Sequence, residues 1–395
     1  MDEILNLPIS EITETEFDCS CGKHHSFNMK AISIRKGAIN DLPKMAEPFK
    51  DKKILVVFDS NTYKVAGKRA VELLKENGFK EVKELLFEVG NDILIPDEKT
   101  LGRILIELDK DFGLAIAVGS GVINDSVKYV TAKTNTPYII VGTAPSMDGY
   151  VSAGAPIICD GFKLSPQAHL AYGVIGDTDI LSTAPYELIA AGFGDIVGKI
   201  TAIADWDVAV EINHEYRCNT CVTLVNRALD KVFKCADKLK QRDKESLGYL
   251  MEALIQTGVA MALCGVSRPA SGSEHMLAHY WEMDEIKHHK NPEHHGIEVG
   301  VATAVVSRFA EELKDILPET SIKLLPNHEF VEELLTKVGA PISPKEIGIS
   351  KELFKDSLIN AHAIRERYSI LRFAVQNGRI DNIVNKLTSY YYGDN

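Results

Sequence analysis

Six of the chain's twelve histidines fall in one stretch, GSEHMLAHYWEMDEIKHHKNPEHHG, between Gly272 and Gly296. Imidazoles gathered this closely suggest a transition-metal site, because neutral histidine is the commonest protein ligand for such ions. His275 and His279 are four apart in a helical segment, so they share a face. Asn291-Pro292 reads as an N-cap and first helical position, opening a second helix that carries His294 and His295. There His295 aligns with Val299, Ala302 and Val306, an apolar inward stripe, whereas His294 aligns with Glu298 on a less apolar track. His288 and His289 lie among Lys287, Lys290 and Asn291 and read as solvated surface imidazoles. For the inward histidines the competing reading is a hydrogen-bonded core. Two of them facing each other across one helix-loop-helix turn weigh against it.

A catalytic metal needs a third ligand and an open position. Asp195 is the candidate, since a carboxylate in AAGFGDIVGKITA is costly to bury unless it meets a cation. Lys199, one turn on, offers a structural salt bridge instead, and both readings hold together if the lysine lies near a metal-bound anion. Asp148, in the SMDGY turn, is a further candidate, with turn capping as its alternative. His279 is either a substrate contact and proton relay or a core histidine. Lys199, Arg268, Arg365 and Arg367 are the candidates for anion recognition.

The strand LAIAV runs into GSGVINDSVKYV, a glycine-rich turn that opens a helix. Glycines let a backbone approach a pyrophosphate, and free helix N–H groups favour anionic oxygens. Asp59 ends the strand KILVVFD, where an acidic residue can hold adenine-ribose hydroxyls, with helix capping as its alternative. Thr143-Ala-Pro-Ser146 ends another strand. Three such strand ends on one edge are the pattern of a dinucleotide crevice. A carboxylate at Asp59 favours NAD over NADP.

The elements that must position these residues are legible in outline. AISIRKGAI, KILVVFD, KELLFEV, LAIAV and YIIVGT read as buried strands alternating with amphipathic helices such as YKVAGKRAVELLKENG, which implies a parallel sheet covered on both faces. VSAGAPIICDGFKLSPQ reads as a hairpin turning at Asp160-Gly161. Helical periods dominate from Pro185 onward. The expected organisation is an α/β dinucleotide-binding domain over residues 1–182, with an extension at 1–30, and an α-helical metal- and substrate-binding domain over 183–395. The site is expected in the cleft between them.

The net charge of −12 excludes a polyanionic partner such as nucleic acid, though not a small anion. No basic, apolar leader opens the chain, no apolar run reaches membrane-span length, and seven cysteines are an odd number. A cytoplasmic protein is expected. Cys19-Ser-Cys21-Gly-Lys-His24-His25 has half of a zinc motif with no second pair following at structural spacing, so a turn at an N-terminal edge is preferred. Cys218-Asn-Thr-Cys221 has redox-motif spacing without a thioredoxin-like context and reads as two helix-borne thiols.

The ordered set GSGVINDSVKY, VGTAPSMDGYVS, GFGDIVGK, SRPASGSEHMLAH, HHGIEVG and IRERYSIL resembles the dehydroquinate synthase-like and iron-containing alcohol dehydrogenase-like superfamily. Within it the chain resembles the sn-glycerol-1-phosphate dehydrogenase branch, and the likeness covers most of the chain from about residue 30. It implies a Rossmann-like nucleotide domain, an all-α second domain and one divalent metal on Asp195, His275 and His295. It implies cofactor contacts at Gly119, Ser120, Gly121, Val122, Ile123, Thr143, Ser146 and Ser152, to which we add Asp59, Asp125 and Lys128. It implies substrate contacts at Asp148, Asp195 and His279, with Lys199 completing the catalytic set. Lys199 stands where iron-using alcohol dehydrogenases resemble one another in carrying a histidine, which favours zinc or nickel over iron. Dehydroquinate synthases are similar but carry glutamate in place of Asp195. The expectation is an NAD- or NADP-dependent oxidoreductase acting on a small phosphorylated three-carbon substrate, as a homodimer or larger homo-oligomer. A polyol dehydrogenase on unphosphorylated glycerol and a dehydroquinate synthase-type cyclase are the alternatives.

Overall fold

The computed structural model describes residues 3–90, 93–288, 290 and 292–393. His289 and Asn291 lie outside the described residues. Six strands form one wholly parallel sheet: β3 (Ala31–Arg35), β4 (Lys53–Asp59), β5 (Val82–Phe87), β6 (Phe112–Gly119), β7 (Tyr138–Gly142) and β10 (Gly173–Asp177). Their spatial order is β3-β10-β7-β6-β4-β5. Burial on both faces explains the unbroken apolar runs. Along β4, Ile54, Val56 and Phe58 pack with Ala70 and Leu74 on one side, while Leu55 and Val57 join Ile104 and Val127 on the other. The chain leaves β4 for the edge strand β5 and then crosses back to β6, so the order reverses between β4 and β6. A doubly wound sheet opens a ligand crevice at that reversal.

Five of the six strands carry the apolar runs that announce them, and β10, GVIGD, does not. Two of its five residues are glycines, and both are dictated by packing. A Cβ on Gly173 would stand 2.3 Å from Met45 Sδ, and one on Gly176 would stand 2.9 Å from Met251 Cγ. The hairpin β8 (Ile157–Cys159) and β9 (Phe162–Leu164) turns at Asp160 (φ 50) and Gly161 (φ 76), as its sequence requires.

Helices follow from Tyr186. We label α1 (Gly121–Thr134), α2 (Tyr186–Asn213), α3 (Asn219–Phe233), α4 (Lys244–Cys264), α5 (Ser273–Lys287) and α6 (His295–Glu311). Helix α4 is long and apolar enough to cross a membrane, which the sequence reading did not flag. Its most apolar stretch is 67% buried, and Met251 packs beneath Gly142 and Gly176 of the sheet, so it is a core helix here. The N-terminal hairpin β1 (Thr15–Asp18) and β2 (His24–Phe27) docks on the helices rather than on the sheet. His25 Nδ1 lies 2.6 Å from the carbonyl of Leu263, near the end of α4.

Candidate metal and cofactor site

Small residues let α2 and α6 cross with their backbones in contact. A Cβ on Gly194 would stand 2.1 Å from Gly296 O, and one on Gly296 would stand 1.9 Å from Ala191 O. Gly192 makes the same kind of approach to Pro145 O, 1.7 Å from where its Cβ would be, and so seats the loop after β7 against α2. These contacts bring Asp195 beside His295, and α5 supplies His275 from the neighbouring position. One ligand atom from each of the three lies within 4.8 Å of the others. Asp195 is fully buried and His275 is 6% exposed.

Carboxylates fix both imidazoles. His275 Nδ1 meets Glu274 Oε1 at 2.8 Å, and Glu274 is itself held by the N–H of Gly272 and the hydroxyl of Thr201. His295 Nδ1 meets Glu282 Oε1 at 2.9 Å. A histidine that donates its Nδ1 proton to a carboxylate keeps its Nε2 lone pair for a cation, so the set fits a divalent metal with three protein ligands. His279, Glu282 and His295 form a second close trio. There Glu282 already bonds both imidazoles and Lys163, which leaves it less suited to bind an ion directly.

Lys199 is buried between two carboxylates, with Nζ 2.5 Å from Asp195 Oδ1 and 2.7 Å from Asp148 Oδ2. Burial works against the charge on Asp195, but Lys199 and the histidines hold its carboxyl well below the usual range. Burial likewise opposes the charge on Lys199, and Asp148 and Asp195 together raise its pKa. The lysine and the histidines therefore share one carboxylate. Burial pushes His279 down to about 3 against the pull of Glu282, so this imidazole is neutral at ordinary pH. Its Nδ1 faces Glu282 at 2.7 Å and its Nε2 faces Arg365 at 3.0 Å.

The strand ends meet on adjacent strands. Gly119 closes β6, where a Cβ would collide with Ile123 at 2.7 Å, and α1 begins after Ser120 with no side-chain cap on its first N–H groups. Val122 is half-buried, and Ile123 is a core side chain, so only its backbone faces that turn. Thr143 donates its N–H to Gly119 O at 3.0 Å, and Ser146 is buried beside it. Ser152 folds back on the carbonyls of Gly149 and Gly154.

Asp59 caps the helix that follows β4, its Oδ1 accepting from the N–H groups of Asn61 and Thr62, both at 2.8 Å. Other readings need correction. Lys128 does not face the crevice. It is fully buried and spends its donors on Asp125 and the carbonyls of Gly149 and Gly154, bracing the loop that carries Asp148. Asp125 is consumed in the same brace, taking Asn124 as well. Helix α6 starts at His295 with His294 as its cap, rather than at Pro292, so the loop from α5 is longer than expected. Glu298 is completely buried, not on a polar track, and neither of its oxygens has a hydrogen-bond partner among the described residues. Burial and the nearby Glu282 raise its pKa. Of the basic candidates, Arg268 is tied to Glu215 and Tyr368 O, and Arg367 to Ser271 O and Ser267 Oγ.

The profile described as iron-containing alcohol dehydrogenase matches residues 33–185. Glycerol-1-phosphate dehydrogenase [NAD(P)+] of Bacillus licheniformis is 34% identical over 97% of this chain and 98% of its own length. The enzyme of that name from Methanosarcina barkeri is 34% identical over 86% and 89%. The chain belongs to the glycerol-1-phosphate dehydrogenase [NAD(P)+] family of oxidoreductases. The fold is shared more widely. A probable glycerol dehydrogenase from Sinorhizobium meliloti 1021 superposes with a TM-score of 0.70 at 15% identity, covering 94% of this chain and all of the other. NADH-dependent butanol dehydrogenase A from Thermotoga maritima gives 0.68 at 17%, covering 91% and 97%.

Within this glycerol-1-phosphate dehydrogenase family member, three residues escaped the sequence reading. Glu282 could have been found, because it lies three and seven positions after His279 and His275 on the same helix face. Glu274 directly precedes His275. Lys163, from the β8–β9 hairpin, pairs with Glu282 across 119 positions and leaves no sequence signal.

Proposed function

We propose that this oxidoreductase interconverts dihydroxyacetone phosphate and sn-glycerol 1-phosphate by hydride transfer at C2, using NAD or NADP and one divalent ion on Asp195, His275 and His295. The observation that carries the reading is the ring of Asp148, Lys199 and Asp195, which joins the loop after β7 to the metal-ligand trio. We divide the chain at 182/183, with the reaction between the two parts. Seven cysteines, an odd number, support a reducing, cytoplasmic setting.

When bound, the ion supplies Lewis acidity at the C2 oxygen and NAD(P) supplies the exchangeable hydride. Asp195 is kept ionised by Lys199, and Glu274 and Glu282 hold the Nδ1 protons of His275 and His295. Asp148, positioned by Lys199, accepts a hydrogen bond from a substrate hydroxyl. Neutral His279 accepts from Arg365 and thereby aims that guanidinium, whose hydrogen bonds go to His279 and Ser271 instead of to a carboxylate, at the substrate phosphate. The Gly119–Gly121 turn receives the pyrophosphate at the uncapped start of α1. With Lys199 one turn after Asp195 instead of a fourth ligand histidine, three protein ligands remain, the number of an open catalytic zinc site, and zinc or nickel is the favoured ion. The test compares turnover of dihydroxyacetone phosphate with that of dihydroxyacetone. A strong preference for the phosphate ester is expected, and preference for the free ketone contradicts the reading.

A further inference from the structure

A second cluster of metal-ligand side chains lies apart from the Asp195 trio and plays no part in the proposed reaction. The β1–β2 hairpin carries Cys19, Cys21 and His25, and Cys218 caps the start of α3 almost 200 positions later. Their ligand atoms all lie within 4.8 Å of one another. Cys19 and Cys218 sulfurs are 3.7 Å apart, Cys218 Sγ lies 3.4 Å from His25 Nε2, and Cys21 Sγ lies 3.2 Å from the same nitrogen. A tetrahedral zinc with bonds of about 2.3 Å to sulfur and about 2.0 Å to nitrogen sets edges of roughly 3.5–3.8 Å. The four side chains thus already stand close to the corners of such a site.

We propose that Cys19, Cys21, His25 and Cys218 form a structural zinc site that fastens the N-terminal hairpin to the helical half of the molecule. The surroundings are those of a metal site. His25 donates Nδ1–H to Leu263 O at 2.6 Å, which leaves Nε2 as the free lone pair facing the sulfurs. The hydroxyls of Tyr216 and Thr220 stand 3.1 Å from Cys21 Sγ and 3.3 Å from Cys19 Sγ, placed to donate to thiolates. Cys218 sits at the positive end of α3, with the sulfurs of Cys221 and Cys264 within 4.8 Å of its own. Cys19, His25 and Cys218 are buried, so water is kept from the cluster. Binding releases the three thiol protons and leaves a closed four-coordinate set, with no position for substrate. The ligand set escapes a sequence scan because its fourth member comes from the Cys218-x-x-Cys221 pair in the helical half.

The test uses the full-length, reduced chain and its Asp195→Asn variant, which removes a ligand only from the other site. With Co²⁺ as the probe, both proteins are expected to show the intense thiolate-to-cobalt charge-transfer band of a tetrahedral thiolate site. Cys21→Ser and His25→Ala in the Asp195→Asn background are expected to lose or shift that band. If those variants do not fold, alkylation of the Asp195→Asn chain followed by mass spectrometry serves instead. Zn²⁺ is expected to protect Cys19, Cys21 and Cys218, and to leave half-exposed Cys159 reactive. Absence of the charge-transfer band, equal alkylation with and without Zn²⁺, or a Cys19–Cys218 disulfide in the protein as isolated overturns the proposal.

Discussion

The backbone N–H of Asp148 donates to Oδ2 of Asp195 over 2.8 Å, and Lys199 closes the ring by bonding both carboxylates. One residue of this ring comes from the loop after β7 and two come from α2. The loop after β7 and the Asp195, His275 and His295 trio are therefore braced against each other, and a change at Lys199 should be felt at both.

Replacing Lys199 with methionine leaves Asp148 and Asp195 as neighbouring buried carboxylates with no cation between them. Removing one partner from a buried ion pair costs about 3–5 kcal/mol. Metal-free Lys199→Met should melt well below the metal-free parent. Added Zn²⁺ should raise its Tm by more than it raises the parent's, because the ion takes over the neutralising role. Calorimetry of both proteins with and without Zn²⁺ decides, and equal metal-free Tm values would count against the ring.

Glu282 bonds His279 and His295 with its two oxygens, whereas Glu274 serves His275 alone among the histidines. Loss of such a carboxylate commonly weakens metal binding roughly 10–100-fold. Glu282→Gln and Glu274→Gln should both show that loss, with the larger effect at Glu282. Competition against a chromogenic chelator measures it, and unchanged affinity in a folded Glu282→Gln protein removes the orienting role.

How much of this could be read beforehand differs residue by residue. The spacing of His275, His279 and His295 and the oddity of a charge at Asp195 were visible, because helix periodicity turns spacing directly into a shared face. The apolar strands were visible for the same reason. Strand β10 was not, since its glycines answer to Met45 and Met251, which are distant in sequence. Lys128 and Asp125 follow the glycine turn closely enough to suggest a cofactor role, yet burial turns them inward to hold the Asp148 loop. Arg365 reaching His279 and Cys218 reaching Cys19 are tertiary contacts without any local pattern.

Gly296 allows α6 to touch α2, and its Cβ would fall 1.9 Å from Ala191 O. Gly296→Ala should force the helices apart, at about 1–3 kcal/mol or more, and weaken metal binding as Asp195 and His295 separate. Gly102, within helix Glu98–Glu107, is the control: nothing lies within 4 Å of its Cβ position, and alanine there should stabilise by up to about 1 kcal/mol. Denaturant unfolding of the two variants gives the comparison. A Gly296→Ala protein as stable as the parent contradicts the close-contact argument.

Burial, with Glu274 nearby, raises Asp205 to about 7. A carboxyl that holds its proton more tightly when folded favours the native state below its unfolded pKa of about 3.8, and that benefit is lost as pH rises through 7. The full swing is roughly 4 kcal/mol at most. The stability difference between the parent and Asp205→Asn should therefore shift against the parent between pH 4 and pH 8. Urea unfolding at several pH values tests this, and a difference constant across that window contradicts the raised pKa.

The central claim is that Asp195, His275 and His295 hold the divalent ion on which oxidoreduction of the phosphate ester depends. The most direct measurement is NADH oxidation with dihydroxyacetone phosphate by metal-stripped full-length protein, with Zn²⁺, Ni²⁺ or Fe²⁺ returned in turn, alongside Asp195→Asn and His275→Ala. The stripped parent should be inactive, Zn²⁺ or Ni²⁺ should restore turnover better than Fe²⁺, and neither variant should recover with any ion. Full turnover by the stripped protein, or recovery in either variant, contradicts the account.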